Sequence, residues 1–165
     1  MIPVQTQILD EIGARLALIT VANGYLTRTP KKIVRSMLTP LKNSDLPFIN
    51  YYSTADNLSN KEYGTIEKRI LTVAIESYDA TRDQVFDDLA QKLGANILVA
   101  LNRSTGSPAV ADNPSVNLGG LVGQVEVTSI TPAIGEGQTP YAGIVLFLDV
   151  TYKVDKLDPF TLINI

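Results

Sequence analysis

Asp83, Asp87 and Asp88 cluster acid at the start of one segment with helical spacing. Paired carboxylates can trade a proton as acid and base or hold a divalent cation. In the first turn of a helix they are more simply complements to the positive end of the macrodipole. Asp56-Asn57 opens like a calcium loop, yet the spaced carboxylates and closing glutamate of such a loop are missing. Gly135-Glu136-Gly137 lies between two strand-like segments, and no Lys-Ser/Thr follows it, so it reads as a turn and not as a phosphate cradle. Serine and threonine are plentiful, but a hydroxyl nucleophile needs a base. With no histidine in the chain, only a desolvated lysine or a carboxylate could serve, and the spacing selects neither. The expectation is a protein with no catalytic, cofactor-binding or metal site.

Composition narrows the classes further. The chain has 165 residues, 45% hydrophobic and 19% charged, which suits one globular domain spanning 1–165. Its 14 basic and 17 acidic residues give a net charge of -3. A nucleic-acid binder would concentrate a basic face. The basic groups here, Arg28, Lys31, Lys32 and Arg35 in one place and Lys68-Arg69 in another, read as solvated surface. There is no cysteine, hence no disulfide or thiolate chemistry. Met1-Ile2-Pro3-Val4-Gln5 shows no basic leader or cleavable apolar stretch, and no apolar run approaches the roughly 20 residues that span a bilayer. A soluble protein made in a cytoplasm is expected.

The elements follow from periodicity. Ile8, Ile12, Leu16 and Ile19 recur at helical spacing, which predicts a helix from about Gln5 to Ala22, ended by Asn23-Gly24. Tyr25 to Leu38 reads as extended, and Leu46 to Tyr52 as a short strand opened by Pro47. Ser53 to Gly64 reads as a polar loop. Thr65 to Tyr78 alternates Leu71, Val73 and Ile75 against Thr72, Ala74 and Glu76. A second helix opens at Thr81 with a Thr81–Gln84 capping box and buries Val85, Leu89, Leu93 and Ile97. Arg103 to Gly120 has no period. Leu121 to Ile130 reads as a strand with Val125 and Val127 inward. Thr131 to Ala142 reads as a hairpin loop. Ile144, Leu146, Leu148, Val150, Tyr152 and Val154 then mark the clearest strand of the chain. The order predicts an α+β fold, with two helices packed on one face of a mixed or antiparallel sheet.

Two features point to contact surfaces. Tyr51-Tyr52 either forms a contact patch or packs a ring inward. The segment 155–165 carries Phe160, Leu162, Ile163 and Ile165, apolar where a terminus is usually polar, so it docks. It either folds back on its own domain or covers a neighbouring chain.

The amphipathic first helix, Asn23-Gly24-Tyr25, Leu46-Pro47-Phe48-Ile49-Asn50-Tyr51-Tyr52, the strand Arg69 to Glu76, the helix opening Asp83-Gln84-Val85-Phe86-Asp87-Asp88-Leu89, and the closing hairpin ending Asp149-Val150-Thr151-Tyr152-Lys153-Val154 together resemble the tail-terminator (tail-completion) proteins of long-tailed bacteriophages. The likeness covers nearly the whole chain and rests on element order and scattered residues. It implies a structural virion protein, assembled in the host cytoplasm, that forms a homohexameric ring. The ring would cap the head-proximal end of the tail tube, stop its polymerisation and present a surface to the head connector. The partners implied are copies of the chain, the tube protein, the connector or neck protein and the sheath, with DNA passing through unbound and no membrane. A ring needs one face of each subunit to fit a different face of the next. Val145 and Phe147 are expected on that interface with Tyr51, Tyr52 and the docking tail. Asn57, Lys61 and Glu62 in one loop, and Glu136 and Gln138 in another, are expected to face the tube, the connector or the DNA channel. The rival readings are another neck, head-completion or sheath-associated ring protein, or a small ligand-binding module or enzyme with its pocket between helices and sheet.

Overall fold

The clearest apolar alternation in the chain becomes a central strand of the fold. The computed structural model describes residues 2–37, 42–61, 64–81, 85–102, 118–135 and 141–163. In chain order the elements are helix α1 (Val4–Leu16), strands β1 (Lys32–Arg35), β2 (Phe48–Lys61) and β3 (Ile66–Ala80), helix α2 (Phe86–Asn102), and strands β4 (Gln124–Gly135), β5 (Tyr141–Asp155) and β6 (Asp158–Leu162). The sheet runs β1-β2-β3-β5-β4, and β6 pairs with the end of β5. β1 is parallel to β2, and the other pairings are antiparallel.

The expected α+β class is overturned. The chain is mainly β, about half strand and about a quarter helix, and its sheet curls into a half-barrel. The difference arises because two segments that read as loops in the sequence pair as strands. Residues 53–61 continue β2, paired with β3 as Ala55 with Thr72, Asn57 with Ile70 and Lys61 with Glu67. Residues 131–135 complete β4, with Thr131 opposite Val145 and Ala133 opposite Gly143. Polar residues have low strand propensity in isolation, but pairing with an established neighbour overrides it. Register shifts at Ser53/Ala55, Leu58/Asn60 and Val127/Ser129 each place an extra residue in one strand, which adds twist and bends the sheet.

Both helices lie on one face. Val4, Ile8, Ile12 and Leu16 of α1 join Leu89, Leu93 and Ile97 of α2 over Leu71, Val73 and Ile75 of β3 and the even-numbered residues of β5 from Ile144 to Val154. α1 is shorter than its apolar period suggests. Leu18 and Ile19 donate to carbonyls three residues back, and a 3-10 turn, Val21–Asn23, follows with Thr20 accepting from the Asn23 N–H. The β-branched run Ile19-Thr20-Val21 favours that exit, and Gly24, at φ 80°, ends the 3-10 turn instead of α1. Val85, expected in the buried stripe of α2, precedes the helix and is 66% exposed. Asp87 and Asp88 do lie in its first turn. Asp83, Gln84 and Arg103 fall outside the described residues.

Two buried polar side chains fix the helices. Arg15 of α1, 1% exposed, donates through Nη1 to the Leu101 carbonyl at 2.6 Å and through Nε to Glu11 at 2.7 Å. It thereby satisfies one of the free carbonyls at the α2 C-terminus. Asn96, inside α2, accepts from the Leu26 N–H at 3.1 Å and donates to Thr27 Oγ1 at 2.6 Å.

Tyr51 lies across α1 where Gly13 leaves room: a Cβ there would stand 2.2 Å from the Tyr51 hydroxyl oxygen and 2.8 Å from the ring. Gly13→Ala gains helix propensity of up to about 1 kcal/mol, but forces a buried ring aside, at about 1–3 kcal/mol. A net loss of about 1–2 kcal/mol is expected in urea unfolding, and less when Tyr51→Phe accompanies it. A more stable Gly13→Ala single variant would contradict this packing.

Candidate functional site

Strand parity gives the sheet a second face. With Leu71, Val73 and Ile75 turned to the helices, β3 presents Ile70, Thr72, Ala74, Glu76 and Tyr78 on the other side. Among the described residues no helix or strand covers that side. The register sorts it into rows. Tyr52, Ala74, Phe147 and Ser129 form one, and Asn50, Glu76, Val145 and Thr131 the next. On the far side of the Phe147 row, Thr72 donates to Asp149 at 2.7 Å, with Glu126 opposite Asp149 on β4. Beyond the Glu76 row, the Tyr78 ring covers Gly143, where a Cβ would come within 2.3 Å of it. Tyr78 also meets Tyr141 edge-on, with ring centroids 5.5 Å apart.

At the β1 side of this face a cavity of about 320 Å³ is lined by Ser36, Met37, Asn50, Tyr52, Ser53 and Glu76. Tyr52 donates to Glu76 Oε1 at 2.8 Å and Asn50 Nδ2 to Oε2 at 3.4 Å. The hydrogen bond to Glu76, then burial, raises the Tyr52 phenol above its ordinary value. Burial first, and the Glu76 charge second, push Tyr78 up to about 12.

The helix side holds a different polar cluster, at the α1 end of β2. The bulge at Thr54 turns Asp56 inward, where it receives Tyr152 Oη at 3.0 Å, Arg69 Nε at 3.2 Å and Gln5 Nε2 at 2.9 Å. Arg69 also reaches Glu67 at 2.9 Å. Burial, reinforced by the Asp56 charge, raises the Tyr152 phenol far above its usual range. Every member has a partner, so this is a brace for three strands and a helix.

The residues singled out from sequence divide accordingly. Tyr52, Val145 and Phe147 share the free face in adjacent rows. Tyr51 does not join them; consecutive strand residues point to opposite sides, and it is buried in the core. Phe160, Leu162 and Ile163 belong to the tail, which folds back on its own chain: β6 pairs with β5, and the Phe160 carbonyl accepts from Gln7 of α1 at 2.9 Å. Leu162 packs against the core, while Phe160 stays 38% exposed. Asn57 and Lys61 are strand residues of β2, not loop residues. Glu62, Glu136 and Gln138 lie outside the described residues, as does Ile165. Val127, expected inward, does face the helix side, but on β4, the last strand of the order among the described residues, and is 38% exposed. Within the basic group read as solvated, Arg28 braces the buried Asp79, while Arg35 pairs with the exposed Asp10 at the surface. Asn50, Glu76 and Ser36 were not singled out. Glu76 carried a signal, as the lone carboxylate on a face it shares with Thr72 and Ala74.

The raised phenols predict an alkaline weakness. Tyr52, Tyr78 and Tyr152 stay neutral in the fold where an unfolded phenol ionises near pH 10. The unfolded state therefore releases protons first, and stability falls as pH rises from about 10 toward the Tyr78 value of about 12. Phenolate absorbance of native protein should lag behind that of urea-unfolded protein. Coincident titrations would contradict the assignment.

No protein-family model matches the chain, and no curated protein matches its sequence.

Proposed function

We propose that this chain is a structural assembly protein that closes into a ring with copies of itself and caps the head-proximal end of a phage tail tube. In this reading it halts tube growth and offers the head connector a docking surface. The observation that carries the reading is the free sheet face, where Tyr52, Val145 and Phe147, half-buried around the buried Ala74, form a patch that none of the described helices or strands covers. A soluble chain gains little from such a surface unless a partner covers it. β4 adds a second contact feature: among the described residues it ends the sheet, with Val127 and Ile130 exposed, and such a strand edge is a template for another chain. A patch on one face and an edge elsewhere are the two unlike surfaces that a head-to-tail ring requires. The tail-terminator resemblance supplies the identity of the ring, the tube and the connector.

Co-sedimentation with assembled tail tubes tests the reading. The protein should pellet with tubes, and electron microscopy should place it at the head-proximal end. Phe147→Asp, which sets a charge in the centre of the patch, should reduce pelleting by at least about tenfold while leaving the helix-side core intact. Protein that stays in the supernatant at tube excess refutes the capping role. A ring found at the connector or on the sheath, and not on the tube end, would make it another neck component.

A further inference from the structure

Glu76 lies within the cavity on the free face, held by two neutral donors. Its carboxylate receives the Tyr52 hydroxyl and the Asn50 amide. Arg28, which precedes β1, and Arg35, its last residue, are engaged elsewhere, with Asp79 and Asp10 respectively. Among the described residues no basic side chain pairs with Glu76.

The rim of the cavity is built for a shape. Ser36 adopts φ 55°, a left-handed conformation uncommon for a residue with a side chain and concentrated at functional sites. In that turn the Ser36 N–H meets the Tyr51 carbonyl at 3.0 Å, and the Met37 N–H meets Asn50 Oδ1 at 3.0 Å. Asn50, only 6% exposed, is thus used at both ends. Its oxygen holds the rim and its nitrogen orients the carboxylate. The volume of about 320 Å³ is at the small end of ligand sites, which run from roughly 300 to 1,000 Å³.

We propose that this cavity receives a cationic side chain, arginine or lysine, presented by a partner protein docked on the free sheet face. The Glu76 carboxylate, with the Tyr52 hydroxyl on it and Ser36 and Ser53 also lining the cavity, supplies acceptors for the donors of a guanidinium or ammonium group. The Tyr52 ring adds an aromatic face attractive to a cation. Val145, opposite Glu76 on β5, and Ala74 and Phe147 in the next row form an apolar surround. A partner covering that surround removes water from the pair and strengthens it. A partner offering only neutral groups would bury the Glu76 charge uncompensated, so the site selects for a cation. This inference is independent of the tail-terminator reading, in which the neighbouring subunit and the tube are two sources of the side chain.

The probe is N-acetyl-arginine amide, titrated into isotope-labelled protein and followed by NMR. Saturable shifts are expected at the Asn50 side-chain amide and the Met37 backbone amide, and none with N-acetyl-glutamine amide. Glu76→Gln, still able to accept from Tyr52, should keep its melting temperature and bind the probe at least about tenfold more weakly. Tyr52→Phe, which removes one flanking hydroxyl and leaves the carboxylate in place, should weaken binding by less than Glu76→Gln. No saturable shift, or equal binding by Glu76→Gln, overturns the proposal. Sedimentation then identifies the source. Weaker self-association of Glu76→Gln assigns the cation to a second copy, and weaker tube binding alone assigns it to the tube. Both unchanged overturns the protein partner. Wild-type protein that binds the probe but never a tube defeats the capping function and leaves the cation site standing.

Discussion

The pairing of β3 with β5 is the constraint on which the rest of the structure depends. From Ile66 opposite Asp155 to Ala80 opposite Tyr141, the ladder runs without a register shift. Side chains alternate strictly along a strand, so this one unbroken register decides the facing of every residue in both strands. Leu71, Val73 and Ile75 meet Leu146, Leu148 and Val150 beneath the helices, and Glu76, Val145 and Phe147 are committed to the other side. A slip of one residue would exchange the core with the contact surface.

Around that fixed pair, the flanking strands bend. β2 and β4 carry the bulges, while the central ladder has none. The division has a physical logic. An extra residue in an outer strand curls the sheet and re-aims side chains locally, without disturbing the parity of the centre. After the Thr54 bulge, Asp56 turns inward to Arg69, Tyr152 and Gln5, whereas Asn50 and Tyr52 before it face outward to Glu76. One strand thereby serves a brace on one side and a cavity on the other.

What could be read from sequence follows the strength of the hydrophobic signal. The β5 alternation and the apolar stripe of α1 are legible because each has its own core to satisfy. The second half of β2, Ser53-Thr54-Ala55-Asp56-Asn57-Leu58, has no such period, and its strand conformation is imposed by the partner strand; this is why a mainly β fold looked like α+β. The contact surface was half legible. Val145 and Phe147 stood out as apolar residues on the wrong parity of an amphipathic strand. Tyr51 and Tyr52 could not both belong to it, since neighbours on a strand face opposite ways. The cavity was illegible, because it joins Ser36, Asn50 and Glu76 from three separate segments, and only the assembled sheet brings them together.

The polar side chain inside α2 has a consequence for how that helix can sit. Leu89, Leu93 and Ile97 would tolerate a modest roll of the cylinder about its axis, since aliphatic packing is forgiving of small rotations. Asn96 does not, because its amide must reach the Leu26 N–H and the Thr27 hydroxyl at once. It acts as an angular stop for the helix. Through the same loop it also delivers the neighbouring Arg28 to Asp79 on β3. A single amide thus clocks the α2 layer against the sheet.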